Sequence, residues 1–251
     1  MDRLLIVPAA GRGSRLGKSA PKALVPVCGR PMLAHVIDLH GPVIDGAVAV
    51  VAPEAIDAFD GFRQTVKSVP LQLATQASPT GMLDAILAAQ ALVARHEPRR
   101  VAVTWCDQIA VERTTAALLA SLALGTESPA LVFPTFMRRE PYIHFERDAR
   151  GRITRVRQRR EGDEMPERGE TDLGLFDMSL PVYLEYLHTF AREAAPATAT
   201  GERNFLPFIP WLSSRLAVTT FAARAFVETV GINTPEELAF IERHLCGSTF
   251  A

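Results

Sequence analysis

Three short, mostly apolar runs constrain this chain more than any other feature: Leu4 to Val7, Ala47 to Ala52 and Val101 to Trp105. A strand that reads apolar along nearly its whole length has to be covered on both faces, as in a parallel sheet buried between helices. The segments between them supply those helices. Pro31 to His40 sets Leu33, Val36, Ile37 and Leu39 behind a proline suited to a first helical turn. Pro53 to Val66 follows, and Thr80 to His96 carries Leu83, Ile86, Leu87, Ala91 and Leu92 at helical spacing. Val69 to Ala74 reads as a weaker strand and Glu112 to Leu124 as a further helix. Strands alternating with amphipathic helices mean βαβ units. The expected fold class is α/β: a three-layer α/β/α, Rossmann-like, mostly parallel sheet.

After Ala130 the rhythm changes. Leu131 to Pro134, Tyr142 to Glu146 and Ile153 to Val156 read as short strands, with Asp148-Ala149-Arg150-Gly151 as a hairpin turn. Arg157 to Glu170 is almost wholly polar and reads as a mobile loop or flap, and strand character returns from Leu173 to Met178. Together these imply a β-rich lobe inserted near residues 135 to 178. Pro181 to Ala194 and Phe205 to Ser213 read as helices, Ala217 to Phe221 and Arg224 to Val230 as strands. Thr234-Pro235-Glu236-Glu237 opens a last helix with a cap and a proline.

Composition removes several function classes. A formal net charge of −1 argues against a general nucleic-acid binder, and no apolar run approaches the roughly 18 to 20 residues of a membrane span. Cys28, Cys106 and Cys246 are odd in number and show no C-x-x-C spacing, so neither a disulfide framework nor a zinc ribbon is expected. A reducing, cytoplasmic compartment is the simplest reading.

In such sheets ligands gather at the carboxyl ends of the strands, where Gly11, Gln76 and Asp107 fall. The first strand breaks into Gly11, Gly13 and Gly17, interleaved with Arg12, Arg15, Lys18 and Lys22. Glycines let the backbone approach a ligand, and successive N–H groups in such a turn suit an anion. The interleaved cations point to a phosphate chain. Neither the dinucleotide spacing nor the Walker A spacing fits these glycines.

The longer string Pro8-Ala9-Ala10-Gly11-x-Gly13-x-Arg15-Leu16-Gly17, with Pro21-Lys22-x-Leu24 and Gly29-x-Pro31-Met32-Leu33, resembles a known signature. It is that of the nucleotidyltransferases that make nucleoside-diphosphate sugars, an NTP-transferase family of MobA-like, GT-A-like fold. Further matches extend the resemblance to Asn233. It implies that Arg15 clamps the β and γ phosphates of an NTP and that Lys22 reaches the α-phosphate. Asp107, in Thr104-Trp105-Cys106-Asp107-Gln108, matches a strand-end metal ligand. Asn233, in Gly231-Ile232-Asn233-Thr234-Pro235-Glu236, matches a second one. Each also has an ordinary reading, as a loop carboxylate and a helix-entry residue. The carry-over implies Mg²⁺ as cofactor, with Asp107 and Asn233 meeting in space.

By the same resemblance Pro8, Ala9, Ala10, Gln76 and Gly81 line the nucleotide. Gln158, Asp172, Gly174 and Glu202 face the acceptor. The Gly/Thr order around Gly81, and the Gln158 and Asp172 positions, depart from the family pattern, so neither uridine nor N-acetylglucosamine 1-phosphate is implied. The expected organisation is one domain over residues 1–251. Residues 1–134 and 215–251 would bind the nucleotide, and about 135–214 the acceptor. The expected partners are an NTP and a phosphorylated small-molecule acceptor, with neither nucleic acid nor membrane; a homodimer stays open. The expected reaction transfers a nucleoside monophosphate to a sugar 1-phosphate. Two alternatives stay open, a cytidylyltransferase for a non-sugar phosphate or phosphonate and a catalytically silent nucleotide-binding regulator. A glycosyltransferase should show a D-x-D metal motif, which Asp107 does not form.

Overall fold

The structure is a computed structural model and describes residues 1–11, 13, 16 and 20–247. The first half of the chain comprises β1 (Arg3–Pro8), β2 (Pro26–Val27), β3 (Arg30–Pro31), α1 (Met32–His40), β4 (Gly46–Val51), α2 (Ile56–Thr65) and β5 (Leu71–Thr75). It continues through α3 (Met82–Leu87), α4 (Gln90–His96), β6 (Arg100–Thr104) and α5 (Arg113–Leu124). The second half holds β7 (Leu131–Arg139), β8 (Ile143–Arg147), β9 (Ile153–Gln158), β10 (Arg168–Asp172) and β11 (Leu175–Ser179). A π-helical segment, Val182–Leu187, leads into α6 (His188–Glu193), followed by α7 (Phe208–Ser213), β12 (Val218–Ala222) and α8 (Pro235–Gly247).

The main sheet runs β10-β7-β11-β6-β1-β4-β5, with β12 also alongside β7. β1 is parallel to β4 and β6, and β4 is parallel to β5. β11 is inserted antiparallel between β6 and β7. Alternation along β1 explains the three layers. Leu4 and Ile6 join a core with Ile86, Tyr183 and Phe208, while Leu5 and Val7 join a second core with Val36, Phe59 and Ile241. Each apolar strand thus feeds two helical layers, as its uninterrupted pattern requires.

Three expectations are corrected. Arg224 to Val230 is no strand; it holds a 3-10 turn at Phe226–Thr229. The buried Glu228 carboxylate accepts the backbone N–H groups of Arg224, Ala225 and Glu112, at 3.2, 3.1 and 3.1 Å, and so takes up donors that a ladder would need. Arg157 to Glu170 is largely ordered into β9, a 3-10 turn at Arg159–Glu161 and β10. Its polarity is matched by ion pairs: Arg157 with Glu146, Arg155 with Asp163 at 3.1 Å, and Arg147 with both oxygens of Glu170 at 2.7 Å. Hydrophobic patterning cannot register such strands. The inserted lobe is also smaller than expected, since only β8 and β9 form a separate sheet and β10 and β11 rejoin the main one.

The cysteine reading is corrected as well. Cys28, in the β2–β3 turn, is disulfide-bonded to Cys246 near the end of α8, across a sequence separation of 218 residues. Local spacing carries no trace of a pairing so distant. Cys106 is free and buried, and burial, reinforced by the neighbouring Asp107 carboxylate, pushes its thiol up to about 12, which leaves it unreactive. Among the described residues no helix is long and apolar enough to cross a membrane.

Candidate functional site

The carboxyl ends of β1, β4 and β6 converge as the parallel arrangement dictates. Beyond β1, Ala9 N–H still donates to Val50 O at 2.7 Å, which keeps the start of the glycine loop against the sheet. Gly13 has a φ of +64° and passes so close to Lys22 that a Cβ there would lie 3.2 Å from Lys22 Cα. Lys22 N–H donates to Gly11 O at 3.2 Å. The loop therefore returns on itself and sets Lys22 beside its own beginning. Pro21, in an extended conformation, delivers Lys22 into a 3-10 turn spanning Lys22–Leu24. Arg15, Gly17 and Lys18 lie outside the described residues.

Lys22 Nζ donates to Asp107 Oδ2 and, at 2.8 Å, to Asn233 Oδ1. Three residues far apart in sequence thus meet at one point, with the lysine and aspartate side chains only 16% and 10% exposed. Asp107 arrives two residues after Trp105, whose N–H donates to Gly174 O at 3.0 Å and anchors the end of β6 to the turn before β11. Asn233 arrives through the start of α8. Thr234 Oγ1 accepts Glu237 N–H at 3.3 Å, while Glu237 Oε2 accepts the N–H groups of Asn233 and Thr234 at 2.7 and 3.0 Å. This reciprocal cap satisfies donors that a helix start leaves open, and it fixes the backbone from which Asn233 projects. The structure therefore brings Lys22, Asp107 and Asn233 together, along with Gly11 and Gly13.

Gly231, which sequence reasoning did not single out, and Glu237, read there only as part of a helix start, complete this point. Gly231 lies where a Cβ would come within 3.1 Å of Gln108 Nε2 and 3.3 Å of Asp107 Oδ2, so the Asp107 carboxylate rests on bare backbone. Glu237 holds Asn233, and its signal was present as the Thr-x-x-Glu spacing of a capping box.

The other candidates fall into two groups. Gln76 sits beyond the end of β5, nearly buried, its N–H on Val51 O at 2.9 Å and its amide Nε2 on Gly81 O at 3.0 Å. Gly81, with φ +122°, packs on the backbone of Arg203, where a Cβ would fall 2.5 Å from Arg203 N. Arg203 N–H donates to Thr80 O and its carbonyl accepts Leu83 N–H, at 2.7 and 3.0 Å, which joins the nucleotide-side loop to the Glu202 segment. Glu202 itself pairs with Arg160 at 2.7 Å, and Gln158 is buried with its N–H on Asp163 Oδ2 at 2.8 Å. Neither Gln158 nor Glu202 bonds to the Lys22 cluster.

Asp172 and Gly174 stand closer to it. Gly174, at φ +65°, packs against the Trp105 ring and Gln108, the neighbour of Asp107. Asp172 Oδ1 accepts Gly174 N–H at 2.6 Å, but among the described residues no donor reaches its buried Oδ2. Burial pushes this carboxyl up to about 6.

A family model described as a MobA-like NTP transferase domain matches residues 5–171. The chain belongs to that family. This MobA-like NTP transferase domain takes in Lys22, Asp107 and Gln76 within the matched span, whereas Asp172 and Asn233 lie beyond it. The chain is 29% identical over 256 residues to the bifunctional protein GlmU of Pelotomaculum thermopropionicum, an alignment covering 98% of this chain and 52% of that protein. It is 28% identical to the GlmU proteins of Cupriavidus taiwanensis and Ralstonia pickettii, covering 95% of this chain and 51% of each. The chain therefore spans about half the length of the curated relatives it matches. Family and fold identify a nucleotidyltransferase.

Proposed function

We propose that this protein catalyses Mg²⁺-dependent transfer of a nucleoside monophosphate from an NTP to a sugar 1-phosphate, giving a nucleoside-diphosphate sugar and pyrophosphate. The observation that carries this reading is the convergence of Lys22, Asp107 and Asn233 on one point beside the glycine loop. The two oxygens on Lys22 Nζ, one carboxylate and one amide, are the hard donors that Mg²⁺ prefers. The described residues hold no cluster of three or more His, Cys, Asp or Glu side chains of the kind that would form an all-protein cage. That fits an ion shared between few protein oxygens and substrate phosphates. Asp107 and Asn233 would hold it. The chemistry Mg²⁺ supplies when bound is neutralisation of the triphosphate oxygens.

The chain's own residues then do the positioning. Gly11 and Gly13 let the triphosphate approach the backbone, and Lys22 supplies positive charge to the α-phosphate as it becomes pentavalent. Arg15 is assigned the β and γ phosphates. Gln76 and Gly81 border the base. On the acceptor side, Asp172 Oδ2 has no donor among the described residues, which leaves it suited to a hydroxyl of the sugar. The attacking phosphate oxygen is already anionic, so neither a protein nucleophile nor a general base is required.

Pyrophosphate release measured over a grid of four NTPs and several phosphoryl acceptors tests the proposal. Turnover with at least one sugar 1-phosphate is expected. Turnover confined to non-sugar phosphates would replace the acceptor class, and tight NTP binding without turnover on any acceptor would overturn the catalytic reading.

A further inference from the structure

The ammonium of Lys22 occupies the place that the proposed reaction gives to a metal ion. Its Nζ donates to Asp107 Oδ2 and, at 2.8 Å, to Asn233 Oδ1, on the same two side chains that would hold Mg²⁺. The reaction needs this ammonium elsewhere, on the α-phosphate.

Asn233 makes the two occupants exclusive. Its Nδ2 donates to Gly231 O at 3.3 Å, which turns Oδ1, its one side-chain oxygen, toward Lys22. Its backbone N–H is held on Glu237 Oε2 at 2.7 Å, so the residue does not swing to present that oxygen to a second partner. The Asp107 carboxylate rests against Gly231 and is fixed in the same corner. A divalent ion on that amide oxygen would stand beside the ammonium, and two cations so close in a partly buried site repel strongly.

The residue type suits an exchange of partners. Of the 27 lysines and arginines in the chain, only Lys18, Lys22 and Lys67 are lysines. The buried ion pairs to Asp177 are made by Arg3 and Arg100, whose planar forks hold a carboxylate in one geometry. Lysine carries a compact charge on a flexible stem and keeps all three donors when it turns to a new acceptor. The Lys22 backbone is meanwhile tied by its N–H to Gly11 O at 3.2 Å, so the exchange is a movement of the side chain alone.

We propose that Lys22 is a latch on the metal oxygens: its ammonium keeps Asp107 and Asn233 closed to a divalent ion until a triphosphate on the glycine loop draws it away. The latch rests on the nucleotidyltransferase reading of this site and adds an order to it. A metal ion alone meets oxygens already neutralised. A triphosphate offers anionic oxygens to Lys22 and further oxygens to the metal, so nucleotide and metal each raise the affinity for the other by the same factor.

Two measurements test this, and neither reads turnover. In the first, Mn²⁺ is titrated without nucleotide and followed by electron paramagnetic resonance. Lys22→Met should bind it at least about tenfold more tightly than the wild type, and the gain should vanish when Asp107→Asn is added. In the second, lysine is isotopically labelled at Cε, and the three signals are followed by nuclear magnetic resonance, with Lys22 identified by its loss in Lys22→Met. Saturating tripolyphosphate with Mg²⁺ should move the Lys22 signal in the wild-type protein and leave that of Lys67 in place. Equal Mn²⁺ affinity in wild type and Lys22→Met would overturn the proposal, as would a Lys22 signal unmoved by tripolyphosphate and Mg²⁺. Either of those results in a protein that turns over on the acceptor grid removes the latch and leaves the catalytic reading standing. Both expected results without turnover on any acceptor remove the catalytic reading and keep the latch.

Discussion

Replacing Asp172 by asparagine should change how stability depends on pH, by an amount the site itself sets. The carboxyl, at the end of β10 in the main sheet, is buried, with one oxygen on Gly174 N–H and, among the described residues, no donor on the other. Burial raises its pKa from 3.8 to about 6. A carboxyl whose folded pKa lies above its unfolded one contributes stability that is fully present below the unfolded value and is lost as pH rises through the folded value. A shift of this size corresponds to roughly 3 kcal/mol in full, at 1.36 kcal/mol for each pKa unit. About 2 kcal/mol of it falls between about pH 4.5 and pH 7.5. Asparagine keeps an oxygen for Gly174 N–H and carries no titrating charge. Its amide nitrogen would stand where the described residues offer Oδ2 no partner, which lowers the baseline by about 1 kcal/mol at every pH. The difference between variant and wild type should therefore move by about 2 kcal/mol in favour of asparagine across that window. Urea denaturation at both pH values measures it directly. A difference that stays constant with pH would refute the reasoning, because the carboxyl would then not be held buried and uncompensated.

Three further outcomes are expected. Asp107→Ala should lower turnover by at least about a hundredfold, since it leaves the Lys22 ammonium without its carboxylate and removes a proposed metal oxygen, while circular dichroism stays unchanged; near-normal rates would remove Asp107 from the reaction. His40 is fully buried, and burial, with Arg3 nearby, pulls its pKa down to about 3. Because its folded value is depressed, the stability it contributes is intact above about pH 6.5 and declines by roughly 1.4 kcal/mol per pH unit as pH falls toward 3, so a His40→Gln variant should show a flatter acid limb in denaturation curves. Opening the Cys28–Cys246 disulfide, which closes a loop with a separation of 218 residues, should cost about 2–5 kcal/mol, read as a lowered denaturation midpoint in reductant that Cys246→Ser reproduces.

The parallel core was legible because it rests on local chemistry. Apolar runs bounded by amphipathic helices can satisfy their two buried faces in few ways, and β1, β4 and β6 obey that rule. The cap at Thr234 was equally readable, since its donors and acceptors lie within one turn. The charged strands β9 and β10 were not. Their charges are matched by partners on neighbouring strands, such as Glu146 for Arg157 and Glu170 for Arg147, and which charge meets which is set by strand pairing rather than by any hydrophobic period. Glu228 belongs with them, because it bends its segment away from the sheet by accepting backbone donors from Arg224, Ala225 and Glu112.

For the candidate site the division is sharper. Residue types along the chain led as far as the expectation of a phosphate-binding loop after the first strand, because small residues and cations placed there suit an anion. Whether Lys22, Asp107 and Asn233 share a point depends on three separate crossings of one sheet and on the cap that aims α8, as do the closeness of Gly231 to Asp107 and the bond between Cys28 and Cys246. Those contacts join residues far apart along the chain, and only the closed packing of the layers brings them within bonding distance.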